Sequence, residues 1–203
     1  MRLSILLLST AIILFLSNIG MAQDSHTHRF ELGPEVTQIY PPVNPVGSVQ
    51  YQPAVGGSAA FNLSKYFGID SSISITPTVP ISATTFAGGR LTQFFAGGRA
   101  GIRKGRFRIY GKLRPGLVSF GSAITAVGPA PDFQLFEGRL TEFALDAGGI
   151  LEIGISKRFA TRYELGDTII RYPARNLFAG QPPVPGDTTH NFQFGIGFLF
   201  LFH

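Results

Sequence analysis

Apolar and polar positions alternate along most of this chain, and the alternation recurs in about eight segments. The first sets Phe30, Leu32 and Val36 against Arg29, Glu31, Glu35 and Thr37. The second opposes Val55, Ala59, Phe61 and Leu63 to Ser58, Asn62 and Ser64, and the third Ile69, Ile73 and Ile75 to Asp70, Ser72, Ser74 and Thr76. In the fourth, Phe94, Ala96, Ala100 and Ile102 face away from Gln93, Arg99 and Arg103; in the fifth, Phe107, Ile109, Leu113 and Leu117 face away from Arg108, Tyr110, Lys112 and Arg114. The sixth places Phe143, Leu145, Ala147, Leu151, Ile153 and Ile155 opposite Glu142, Asp146, Glu152 and Ser156. The seventh sets Phe159, Tyr163 and Leu165 against Arg162 and Glu164. The last, NFQFGIGFLFLFH (191–203), puts Phe192, Phe194, Ile196, Phe198, Phe200 and Phe202 on one ridge. Period two is the signature of strands with one apolar face.

The connections alternate as well. Three are tight, at 65–68, 104–106 and 157–158; four are long, at 41–53, around 78–89, from Ser122 to Gly138, and at 174–189. Short and long loops at opposite ends predict an all-β, antiparallel up-and-down barrel with both termini on the short-loop side. A faint hairpin repeat agrees: Gly56-Gly57 leads to Lys65, Gly97-Gly98 to Lys104 and Gly148-Gly149 to Lys157.

Charge decides which face is inside. Only 14% of residues are charged, against about 25% in an average globular protein, and about half of those charges fall on the polar strand faces. Bulky apolar side chains crowd the other face of nearly every segment, more than a narrow interior holds. The polar face mixes charges with Gly97, Gly101, Gly148, Gly154, Gly195 and Gly197, the large-and-small alternation of a tight lumen. Aromatics gather at strand ends, with Phe30, Tyr66, Phe67, Phe107, Phe159 and Phe202 at the short-turn side and Tyr40, Phe120, Phe143, Tyr172 and Phe192 at the other. Two interfacial girdles are expected there. The expectation is a transmembrane barrel with lipid outside and charge within.

Residues 1–22 read as a signal peptide: Arg2 supplies the positive region, 5–17 the apolar core, and Gly20-Met21-Ala22 the cleavage site, leaving 23–203 as the barrel domain. The absence of cysteine excludes disulfides, thiol catalysis and cysteine-ligated metals. The net charge of +5 is dispersed over strands and turns and offers no patch for nucleic acid.

FFAGGRAGIRKGRFRIYGKLRPGL and FALDAGGILEIGISKRFATRYELG resemble the central and penultimate hairpins of the small outer-membrane β-barrel domain family, the OmpA- and OmpX-like eight-stranded barrels. The resemblance covers residues 28–203 and carries architecture rather than catalysis. It implies an outer-membrane location with periplasmic termini, and a last strand (Phe192, Phe194, Ile196, Phe198, Phe200, Phe202) that doubles as the signal to the barrel-assembly machinery. Members of the family end on an aromatic residue, whereas here Phe202 is penultimate and His203 terminal.

The predicted lumen network comprises Glu31, Glu35, Asp70, Arg99, Arg103, Arg108, Lys112, Arg114, Glu142, Asp146, Glu152, Arg162 and Glu164. Its charges are near balance and should pair across adjacent strands, Arg108 and Arg114 with carboxylates for instance. The expected role is structural or interactional, through membrane integrity or binding at the outer loops, with no cofactor and no catalysis. The alternatives are a narrow ion or small-solute channel, a lipid-modifying hydrolase using Ser122, His190 and Glu142 at the outer rim, or, with the faces inverted, a lipocalin-like carrier. His26 and His28, two apart on a terminal tail, do not suggest a metal site. The partners expected are outer-membrane lipid, the assembly machinery, and a protein or surface at the Pro- and Gly-rich loops.

Overall fold

The computed structural model describes residues 28–40, 53–79, 87–127, 134–174, 183 and 185–202. The segment expected to be a signal peptide, His26, the greater part of the long loops and His203 lie outside the described residues.

Eight strands run in chain order: β1 (Phe30–Tyr40), β2 (Pro53–Asn62), β3 (Phe67–Val79), β4 (Ala87–Lys104), β5 (Phe107–Val127), β6 (Gln134–Gly154), β7 (Phe159–Tyr172) and β8 (Asp187–Phe202). Each pairs antiparallel with the next, and β8 returns to β1 with Phe30 opposite Phe202, so the sheet closes. Closure gives every strand a partner on both sides over the body of the barrel. The chain ends described here, Phe30 and Phe202, lie at the end that carries the three short turns.

The alternation sets the faces. Phe61, Ile73, Phe94, Leu113, Phe143, Leu165 and Phe198, from seven different strands, are outward and exposed, while the charged positions between them are buried. On β8, Phe192 to Phe202 covers about 33 Å of strand, which at a tilt of about 40° makes an apolar belt about 25 Å tall.

The faint glycine repeat has a steric cause. Gly56, Gly97 and Gly148 face inward, where a β-carbon would collide with the backbone carbonyl of Ile73, Leu113 or Leu165 on the next strand. Close coiling of adjacent strands requires glycine at those positions.

Two expectations need correction. The stretch from Ser122 to Gly138 is not all loop: β5 continues to Val127 and β6 begins at Gln134, in register from Ala123↔Gly138 to Val127↔Gln134 after a shift beyond Phe120. GSAITAV and QLFEGRL contain enough β-branched and aromatic residues to extend the hairpin, although they do not alternate cleanly. β6 meets β7 only from Ala144 onward, so among the described residues 134–143 pair with β5. The second correction concerns the girdle at the long-loop end. Phe120 and Tyr172 point inward and are buried, whereas Phe143 and Phe192 of that set are outward and exposed.

Candidate functional site: the charged lumen

The inner face is stratified. At the short-turn mouth Arg103 donates to the Tyr110 hydroxyl (2.7 Å), and the Arg99 guanidinium lies over the Tyr110 ring. Just within, Arg99 bridges Glu152 (2.7 Å) and Glu31 (2.6 Å), and Asn62 links Glu31 to the His28 carbonyl. Arg108 reaches Glu31 at 3.3 Å and Glu152 at 3.5 Å. Deeper still, Arg162 binds Asp70 through both terminal nitrogens (2.8 and 2.9 Å) and also engages Glu164. Arg114 gathers Asp70, Asp146 and Glu164, and Lys112 joins Asp146 (2.9 Å) and Glu164.

Shear explains these combinations. Arg108 and Glu152, like Arg114 and Asp146, are register neighbours on β5 and β6. Arg99–Glu31 and Arg162–Asp70 instead reach across the lumen between strands that share no ladder. In a protein interior such pairs are stable only when each group keeps several partners, which this arrangement supplies.

Glu35 stands outside the network. The acids Glu31, Asp70, Asp146, Glu152 and Glu164 find their partners among Arg99, Arg103, Arg108, Lys112, Arg114 and Arg162 without it. Glu35 is 4% exposed, and neither carboxylate oxygen has a hydrogen-bond partner among the described residues. Gly56 and Gly197 flank it in register on either side. The Thr37 and Ser58 hydroxyls and the Gln93 amide nitrogen, all inward and buried, also lack partners among the described residues.

Above this level the lumen holds an apolar cluster beside buried polar groups such as Gln93 and Asn191. Leu91, Phe95, Val118, Phe120, Ala144, Ile170 and Tyr172 pack into one cluster beneath the long-loop end. Alternation counted from Arg108 along β5, or from Arg162 along β7, assigns Phe120 and Tyr172 to the inner face. Because both faces are apolar there, hydropathy by itself does not reveal it. Glu142 lies buried on the inner face of β6, level with Val118.

Ser122, His190 and Glu142 do not come together. His190 is exposed on the outer face of β8, where Nδ1 lies 2.6 Å from Asp167, while Glu142 is inside the wall. Ser122 sits on the β5 extension opposite Gly88. Asp167 accordingly belongs to the outer face and not to the lumen.

The turn cations, scattered in sequence, are assembled by the fold. Arg29, Lys65, Lys104, Arg106, Lys157 and Arg158 are all exposed at the short-turn end, and no carboxylate among the described residues is exposed beside them. Just inside this collar the outer surface bears Phe30, Phe67, Phe107, Phe159 and Phe202.

No protein-family model matches the chain, and no curated protein matches it in sequence. Solved structures do. Neisserial surface protein A (NspA) superposes with a TM-score of 0.50 at 12% identity, covering 85% of this chain and 97% of that one. The chain has the fold of the small outer-membrane β-barrels. The attachment invasion locus protein Ail of Yersinia pestis (11% identity, 84% and 96% covered, TM-score 0.47) and OprG from Pseudomonas aeruginosa (12%, 86% and 95%, 0.47) are also similar. In that fold the Phe-rich belt is exterior and the ion pairs fill the lumen.

Proposed function

We propose that this barrel is an outer-membrane protein with a structural and interactional role, holding a rigid closed cylinder in the bilayer and presenting its long loops for contact. One observation carries the reading: a lumen filled by buried or nearly buried ions, most of them mutually paired, lies beneath an apolar cluster. Such a filling favours rigidity over transport, because any aqueous path has to break both layers. An eight-stranded barrel has room for little besides its own side chains.

In this reading residues 1–22 direct export, the short turns and both termini face the periplasm, and the β8 ridge from Phe192 to Phe202 is read during assembly. Planar-bilayer recording tests the closed lumen: the expected result is no discrete conductance at moderate voltage. Unitary steps whose ion selectivity changes with Arg108→Gln or Arg114→Gln support the channel alternative. Mobility of the outer-membrane fraction, boiled against unboiled, tests location and closure together. A heat-dependent shift is expected, and a soluble periplasmic protein with no shift favours the carrier alternative.

A further inference from the structure

The outer surface is not uniformly bulky. An open groove of about 790 Å³ interrupts the apolar belt on β3, β4 and β5, walled by Leu63, Phe67, Ile69 and Leu113. Ala100 and Gly111, paired in register, form its floor, and Gly98 extends it along β4. A β-carbon built on Gly98 meets nothing within 4 Å, so the space is real and not filled by neighbouring side chains.

The groove runs towards two basic turns. Lys104 lies on the outward face of β4, four residues beyond Ala100 and therefore about 13 Å along the strand. Lys65 is exposed in the β2–β3 turn, between groove walls Leu63 and Phe67, with its ammonium 4.8 Å from the centre of the Tyr66 ring. That turn is fastened to β4 by the Gly101 amide, which donates to the Tyr66 carbonyl (2.8 Å). An apolar trough leading to fixed cations, at the edge of a lipid-facing belt, matches the two ends of one molecule. The trough takes an acyl chain and the cations take a phosphate.

We propose that this groove is a defined site for an anionic phospholipid of the leaflet at the short-turn end, one chain on Ala100 and Gly111 and the headgroup phosphate between Lys65 and Lys104. The site rests on the membrane-spanning reading and adds to it a place, a lipid class and two recognising residues. The absence of an exposed carboxylate among the described residues of the collar leaves the cations free to meet lipid phosphate.

The protein contains no tryptophan, so Phe67→Trp places a single, selectively excitable indole on the groove wall. The variant is inserted into phosphatidylcholine vesicles containing a minor fraction of phosphatidylglycerol, with brominated quenching chains on either one lipid or the other. Quenching is expected to show phosphatidylglycerol enriched around the introduced indole, with the preference falling about fivefold for each of Lys65→Gln and Lys104→Gln. Gly111→Leu, which fills the trough and leaves both lysines, should also abolish it. Equal quenching by the two lipids, or a preference unchanged by these substitutions, overturns the site while leaving the membrane reading intact. Weak quenching by both lipids, with a crosslinked dimer through the groove, overturns it in favour of a second copy. Failure to insert at all overturns the membrane reading itself.

Discussion

Replacing Arg114 by methionine perturbs the ionic lumen at its centre. The guanidinium contacts Asp70, Asp146 and Glu164 from one buried position, and methionine keeps much of the apolar stem while removing every donor. None of the three carboxylates is stranded completely. Asp70 retains Arg162, Asp146 retains Lys112, and Glu164 retains both. The cost should therefore sit within the range of about 3–5 kcal/mol for breaking one member of a buried ion pair, and towards its lower end. With a urea slope of about 2 kcal/mol per molar, the unfolding midpoint falls by roughly 1.5–2 M. The fraction of fast-migrating, unboiled protein against urea, in a fixed lipid–detergent mixture, reads that midpoint directly. Adding Asp146→Asn should recover part of the loss, since it removes the carboxylate most dependent on Arg114. A loss below about 1 kcal/mol, as for an exposed pair, would show that the network does not hold the barrel together.

Other positions give sharper contrasts. Glu35→Gln should leave stability in the same urea assay unchanged or raise it by about 1–3 kcal/mol, because it neutralises a buried carboxylate that has no hydrogen-bond partner among the described residues; a marked loss contradicts its isolation. Gly195→Leu should destabilise by about 1–3 kcal/mol through overpacking, since its β-carbon would lie 2.9 Å from Glu35 Oε1 and 3.2 Å from Thr37 Cγ2. Gly98→Ala, pointing into open space, should change stability by less than about 0.5 kcal/mol. Ile196→Arg near the middle of the β8 ridge should cost about 2–4 kcal/mol in a bilayer, and Phe202→Arg at its end about 0–1. Equal costs at the two positions contradict the placement of the belt.

Much of this architecture is legible in the chain because period two assigns a face at every step. Counting outward from Arg108 or Arg162 suffices to place the inward charges and the Phe ridge. What alternation does not contain is the shear of the barrel, so it cannot say that Arg99 meets Glu31 or that Arg162 meets Asp70 across the lumen. It also fails where both faces are apolar. Around Phe120 the outward Leu117 and the inward Val118 are equally hydrophobic, and the strand-end aromatics suggest a lipid girdle although two of them belong to the inner apolar cluster. Likewise, no signal along the chain marks Glu35 as the odd carboxylate. Its isolation is a property of which strands close beside it, with Gly56 on one side and Gly197 on the other. Three members of the cation collar, Lys65, Lys104 and Lys157, are legible in the hairpin repeat, but that no exposed carboxylate among the described residues stands beside them is a property of the fold.

The unequal strands have a consequence for anything approaching from outside. β1 to β3 hold 10 to 13 residues, whereas β5 and β6 hold 21 each. About ten extra residues, at the rise and tilt used for the belt, lift the β5–β6 tip roughly 25 Å above the shorter strands. Among the described residues the strand ends thus form a slope and not a ring, with the β5–β6 hairpin standing highest. A flat partner laid across the mouth would touch that hairpin before any other described strand end. A narrow one could lean against its flank, where β6 residues 134–143 have no β7 neighbour among the described residues. Among the described strand ends, strand length alone therefore decides which one stands foremost, before any side chain is consulted.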